Sequence, residues 1–278
     1  MATTERVGLR DAAERLGLHY MTVYHYVRTG RLAAERIGAT WTVAVDDVDA
    51  LRDAARAAPR ARTARSARPA RLADRMAAGD ESGAWAIVEG ALGSGAEVAA
   101  VYDGLLVPAL GSIGDRWARG DLSIAAEHRA TVVAARLVAR LGPRFARRGR
   151  TRGTVVLGAP SGELHALPSA MLSNLLRAAG FEAVDLGANT PASSFVETAL
   201  DADRLVAVLV GATTDAAAGV VVDVVRALRA AALSAPVLVG GGAIRDEAAA
   251  RASGADGWTG PGILDAVHAV ESLAERRG

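Results

Sequence analysis

Glu163 and His165, two residues apart in GAPSGELHALPSAM, form the pair in this sequence best suited to holding a metal. A carboxylate that accepts one imidazole N–H fixes the tautomer and raises the basicity of the other ring nitrogen, which suits a neutral axial ligand. A lone histidine in such a loop is more often structural; the carboxylate beside it changes the weighing. A second constellation sets Trp117 ahead of Glu127 and His128 with nine residues between, Ile124 among them. Read blandly, that is a core tryptophan and a solvated Glu-His pair. Downstream, Thr213 in GATT and the run Gly240, Gly241, Gly242 offer short side chains and bare backbone that a ligand can approach closely. No GxGxxG follows the first strand of this region, so the dinucleotide fingerprint is absent. His268, in DAVHAVESL, reads as a helix-surface residue.

Composition removes whole classes of chemistry. All 32 basic residues are arginine, which leaves no Schiff-base lysine and no P-loop lysine. With no cysteine there is no disulfide, thiol nucleophile, iron–sulfur cluster or cysteine zinc site, and a reducing, cytoplasmic compartment is expected. The 31 acidic residues bring the formal net charge to +1, so basic character must be sought segment by segment. No uninterrupted apolar run approaches the roughly 18 residues of a membrane span, and the start MATTERVGLRD has no apolar signal core. The expectation is a soluble, unexported protein with no membrane partner.

At 278 residues, and at about 100 to 200 residues per domain, the chain should hold two or three domains. Over 1–53, GLRDAAERLGL and HYMTVYHYVRTG read as two helices, with Ala12, Ala13 and Leu16 on the inner face of the first and Val23, Val27 and Leu32 turned to the core. AAERIGATWTVAV alternates like a hairpin, and Asp46 or Asp47 is placed to cap DDVDALRDAARAA. Residues 54–71 carry six arginines among Ala, Pro, Ser and Thr and no acid, and read as a solvated linker that grazes phosphates at most. Four helical stretches over 72–148 predict an antiparallel bundle. From Thr154, over 149–278, near-continuous apolar strands (TVVLG, FEAVDLG, LVAVLVG, PVLVGGG, DGWTG) alternate with amphipathic helices, predicting a doubly wound five-stranded parallel sheet of Rossmann or flavodoxin-like type. Glu163 and His165 then fall at the carboxyl edge of that sheet, where such folds bind ligands. The whole is a multidomain α and α/β chain.

In the first segment, the Thr-Val-Tyr start of the second helix, the Thr-Gly-Arg-Leu exit and the Arg-Ile-Gly turn into a Trp-containing wing resemble the MerR/excisionase winged helix-turn-helix family over about 45 residues. That resemblance implies an operator in double-stranded DNA, contacted by Thr22, Tyr24, His25, Arg28, Arg31 and Arg36. A small helical interaction domain is the alternative. The carboxy-terminal segment is similar to the cobalamin-binding domain, whose Asp-x-His-x-x-Gly element is matched by Glu163-Leu-His165-Ala-Leu-Pro168, with Gly211-Ala-Thr213 and Gly241-Gly242 for its later elements. By resemblance, His165 ligates cobalt from below, Glu163 supports it, and Thr213, Gly241 and Gly242 line the nucleotide tail. Glu for Asp, Pro168 for Gly and Gly211 for Ser are departures, and they bear on the tail contacts more than on the cobalt ligand.

Trp-x9-Glu-His ahead of that loop resembles the adenosylcobalamin photoreceptor regulators of the CarH/LitR type, over nearly the whole chain. The resemblance implies adenosylcobalamin as cofactor, Trp117 over its upper axial group with Ile124 beside it, and Glu127 and His128 on the adenosyl moiety. Light-sensing members tend to carry His directly after this Trp, where this chain has Ala118. The expected function is a non-enzymatic transcriptional regulator, a repressor, whose homo-oligomer, dimer or tetramer, and DNA affinity follow adenosylcobalamin and light. A light-insensitive cobalamin sensor and a corrinoid component of a methyltransferase system are the alternatives.

Overall fold

The computed structural model describes residues 5–16, 20–28, 32–38, 40–57, 60–147 and 149–276. The chain divides into two compact units, Met1–Ser66 and Ala67–Gly278.

In the first unit, β1 (Arg6–Gly8), α1 (Leu9–Leu16), α2 (Tyr20–Arg28), β2 (Ala34–Ile37), β3 (Thr40–Ala44) and α3 (Val45–Ala57) follow one another. The hairpin β2–β3 forms as expected, paired from Ala34↔Val43 to Ile37↔Thr40. Strand β1 has no counterpart in the sequence reading and adds to the far side of β3, giving the sheet order β1-β3-β2. Its three residues are too few to show an alternating pattern. Leu9, Ala12, Ala13, Val23, Leu32, Val43 and Val48 form the core. Asp46 and Asp47 do not cap α3: the helix starts at Val45, and both lie in its first turn, where acids favour the positive end of the helix dipole.

Of the expected linker, 54–71, residues 54–57 complete α3 and residues 60–71 open α4 (Arg60–Ala78), which contains Pro69. Ala and Arg are among the strongest helix formers, and Leu72, Ala73, Met76 and Ala77 anchor the helix by burial.

The second unit joins a helical bundle to a parallel sheet. Helices α4, α5 (Glu81–Gly93), α6 (Val98–Val101), α7 (Val107–Ala118) and α8 (Ile124–Leu141) supply the bundle, and a π-turn, Tyr102–Leu106, fuses α6 and α7. By length and composition the fused helix Val98–Ala118 could cross a membrane, yet Val101, Tyr102, Leu105, Leu106, Ala109 and Ile113 on it are buried in the bundle core. Each large apolar side chain buried there contributes about 1.5–3 kcal/mol. Ser123 caps α8 by accepting the Ala126 N–H, and Ala126, Ala130, Val133, Ala134, Leu137, Val138 and Leu141 make its buried stripe.

The sheet strands are β4 (Thr154–Gly158), β5 (Glu182–Asp185), β6 (Leu205–Gly211), β7 (Val237–Gly240) and β8 (Gly257–Trp258), all parallel, in the order β5-β4-β6-β7-β8. Helices α9 (Leu167–Ala178), α10 (Ala192–Asp201), α11 (Asp215–Ala230), α12 (Glu247–Ala252) and α13 (Ile263–Glu275) alternate with the strands. Two separate cores, one holding Val156, Val208 and Val239 and the other Val155, Leu157 and Leu209, show that successive β4 and β6 residues face opposite layers. The strand order reverses between β4 and β6, and a crevice opens where the loops leaving such a pair part to opposite faces. Met171 and Leu175 of α9 share the core of the bundle, and Asn174 Nδ2 donates to the buried Tyr102 hydroxyl at 2.9 Å.

Candidate functional site

The loop after β4 is tied down on its backbone before any functional side chain enters. Ala159 N–H donates to the Gly187 carbonyl, Thr190 N–H to the Ala159 carbonyl, and Asn189 N–H to the Glu163 carbonyl, each at 2.8–2.9 Å. Glu163 N–H turns back on the Pro160 carbonyl at 3.0 Å. Glu163 is thereby held with its side chain inside the protein, only 1% exposed, while His165 stands 54% exposed.

The buried carboxylate is the hub of the site. Its Oε1 accepts the backbone N–H of His165 at 3.1 Å and the ring Nδ1–H of the same residue. Its Oε2 accepts the N–H of Thr213 at 2.8 Å, the N–H of Thr214 at 2.9 Å and the Thr214 hydroxyl at 3.2 Å. Burial alone would raise its pKa. The hydrogen bonds from the His165 ring and from the Thr214, His165 and Thr213 amides outweigh burial and bring it down to about 2. The carboxylate is therefore ionised at neutral pH and has only lone pairs to offer, so the proton of a neutral His165 imidazole sits on Nδ1. Nε2 keeps its lone pair and, among the described residues, has no hydrogen-bond partner. An imidazole held this way can serve as a metal ligand through Nε2.

The strand ends beside this pair are made of backbone. Ala212 N–H donates to the Gly240 carbonyl at 2.9 Å, and Ala243 N–H to the Ala212 carbonyl at 3.1 Å. Gly241 has φ +93°, and a Cβ there would press into the Ala212 carbonyl oxygen; a Cβ on Gly242 would stand 3.4 Å from the Thr213 carbonyl oxygen. Thr213, Gly241 and Gly242, singled out from sequence, thus adjoin one another, and Thr213 meets Glu163 through its amide rather than its side chain. Thr214 was not singled out. The repeated threonine in GATTD is its only sequence trace, and a separation of 51 positions from Glu163 hides the contact.

On the bundle, the end of α7 and the start of α8 bring the other set together only partly. Trp117 is 52% exposed and Ile124 66% exposed, so neither is a core residue. Glu127 Oε2 lies 2.9 Å from His128 Nδ1, and its Oε1 accepts the Thr131 hydroxyl at 2.8 Å. Among the described residues, no hydrogen bond or ion pair links Trp117, Glu127 or His128 to Glu163 or His165. Nor, among them, does any group of three His, Cys, Asp or Glu assemble that could hold a metal by itself.

In the first unit, Arg36 is exposed on β2. Tyr24 is half-buried against the core and stacks on Tyr20, centroids 6.4 Å apart. Arg31 and the side chains of Thr22, His25 and Arg28 lie outside the described residues. His268 is exposed on α13, as read.

Residues 7–56 match the model of a helix-turn-helix domain, and residues 70–141 and 153–267 match two models that each describe a B12 binding domain. The chain carries a B12-binding region behind a helix-turn-helix domain. Among curated proteins, trimethylamine corrinoid protein 1 of Methanosarcina acetivorans is 40% identical over 50 residues, and that of Methanosarcina mazei 38% over 50. The matched stretch is 18% of this chain and 23% of either relative. Among solved structures, the monomethylamine corrinoid protein of Methanosarcina barkeri superposes with a TM-score of 0.64 at 19% identity, covering 72% of this chain and 96% of that one, which establishes the shared fold. The residues of the B12-binding region fit a corrin. His165 presents an oriented nitrogen for cobalt, and at Gly241 the backbone packs so closely on the Ala212 carbonyl that the strand end carries no side chain. His165 would hold the metal, and Thr213, Gly241 and Gly242 would line the nucleotide tail.

Proposed function

We propose that this protein is a transcriptional regulator, a repressor rather than an enzyme, that binds an operator through its helix-turn-helix domain and reads adenosylcobalamin and light through its B12-binding region. The observation that carries the reading is the helix-turn-helix domain set in the same chain as that region, whose second part holds the Glu163-oriented His165. When bound, adenosylcobalamin supplies cobalt and a photolabile cobalt–carbon bond. His165 holds the lower face and Glu163 keeps its tautomer. Trp117 and Ile124, large and exposed, are the apolar cover for an upper adenosyl group, and Glu127 and His128 are its polar contacts. A ligand that fits this cover stabilises the homo-oligomer in which the cover is closed, by no more than its preference for that state, and a paired assembly binds DNA more tightly than one module alone. Loss of the upper group removes the preference, and cytoplasmic DNA is released.

The test is size-exclusion chromatography and operator binding of purified protein with adenosylcobalamin, in the dark and after green light. Dark assembly that illumination disperses supports the whole reading. Assembly that ignores light leaves a cobalamin sensor, a possibility tied to Ala118, where no imidazole follows Trp117. The local identity to trimethylamine corrinoid proteins favours a second reading, a corrinoid component of a methyltransferase system; methyl transfer to the bound corrin without any DNA binding would select it.

A further inference from the structure

We propose that the arginine-lined groove between α4 and α5 is a second DNA-contacting surface, one that grips phosphates without reading sequence. The proposal rests on the reading of residues 7–56 as a DNA-binding domain. The groove encloses about 350 Å³ and is lined by Arg68, Arg71 and Arg75 on α4 and by Gly83, Ala86 and Gly90 on α5. The arginines stand at i, i+3 and i+7, which puts their stems on one helix face. Gly83, Ala86 and Gly90 repeat the same spacing on the facing helix, and a Cβ on Gly90 would meet nothing within 4 Å. Small residues keep the groove open.

Charge decides the occupant. Arg75 Nη1 donates to Asp80 Oδ2 at 2.6 Å, but Arg68 and Arg71 make no ion pair among the described residues. Arginine's planar fork matches phosphate oxygens, and two unneutralised forks on an open face call for an anion. Ile87 is the one large apolar residue of the lining, so a peptide would find no deep anchor pocket, whereas a polyanion needs only charge and room. The basic run begins earlier in the sequence, since Arg56, Arg60, Arg62 and Arg65 precede the groove residues with no acid among residues 54–71. Arg68 lies 12 residues beyond the end of the helix-turn-helix match at residue 56. Arginine thus recurs along the sequence from the end of that match to the groove.

The experiment is fluorescence anisotropy of the full chain on a labelled random-sequence duplex over a salt series. Each phosphate contact contributes about 0.9 to the slope of log K against log salt, so R68Q/R71Q should lower the slope by up to about 1.8 and weaken binding several-fold at low salt. Ala86→Glu, on an exposed position of the groove, should weaken binding likewise, and it decides the matter if circular dichroism shows the double variant poorly folded. An unchanged slope in both variants overturns the proposal and, if Arg36→Gln still weakens binding, leaves the helix-turn-helix reading standing. A wild type that binds no duplex overturns both. A shifted elution volume on size exclusion with an unchanged salt slope assigns the groove to a second copy of the chain and likewise overturns the proposal.

Discussion

The two faces assigned to one cofactor are built in opposite ways. On the sheet side, Glu163 is buried and accepts five hydrogen bonds from His165, Thr213 and Thr214, so the imidazole is aimed before any ligand arrives. On the bundle side, Trp117 and Ile124 face solvent, and among the described residues Glu127 pairs only with its own helix neighbours. Pre-organisation lowers the ordering cost of holding a ligand, whereas exposed apolar area gains only when something covers it. The sheet side is therefore suited to retention and the bundle side to response, since a surface that is incomplete alone can register which upper group is present.

The largest effect expected from breaking this contrast is at Glu163. Glu163→Ala removes the acceptor of the part-buried amides of Thr213 and Thr214, each at a cost of up to about 1–3 kcal/mol, and frees the His165 ring. Urea unfolding should show a loss of about 3 kcal/mol or more, and equilibrium dialysis a sharp drop in cobalamin retention; wild-type values in both would end the account of the hub. Its pH dependence has a definite sign. A carboxyl held at about 2 when folded, against 4.5 in its ordinary state, adds stability that is fully present above pH 4.5 and is lost as pH falls toward 2. The stability gap between wild type and Glu163→Gln should narrow over that window.

Gly241→Val should follow, at about 2 kcal/mol, because φ +93° disfavours any side chain and the Ala212 carbonyl blocks it. Tyr102→Phe should cost about 1–2 kcal/mol by leaving the Asn174 amide without its acceptor. Burial pushes the Tyr102 phenol up to about 12, against the opposing hydrogen bond from Asn174. Its stabilising effect, full below pH 10, is lost as pH rises through about 12, and ultraviolet titration should show a tyrosinate step missing in the variant. The smallest effect on folding is expected at Trp117→Ala, within about 0.5 kcal/mol because the ring is half exposed. That same variant should bind cobalamin through His165 yet assemble less in the dark, and an equal loss in both assays would erase the distinction between the two faces.

The sheet was legible because β4, β6 and β7 are almost wholly apolar runs of four to seven residues, each ending in glycine and separated by amphipathic helices. Glu163 and His165 were legible because the pair is local. Thr214 was not, since its partner lies 51 residues away. The helical form of residues 60–71 was not legible, because arginine and proline were weighed against burial and the anchors of α4, Leu72 and Met76, lie just past the stretch assigned to the linker. The π-turn at Tyr102–Leu106 leaves no mark in an apolar helix that reads as continuous.

The long separation between Glu163 and its threonine donors also governs the order of events during synthesis. While residues 163–165 are emerging, the carboxylate has only its local partner, and the amides that complete its shell exist only once β6 has been made and has paired with β4. Gly241, still further along, comes later again. Closing so wide a loop must precede the contacts that reward it. On the proposed reading, a nascent chain therefore offers a corrin an unoriented histidine, and a truncated or half-folded copy should retain cofactor poorly.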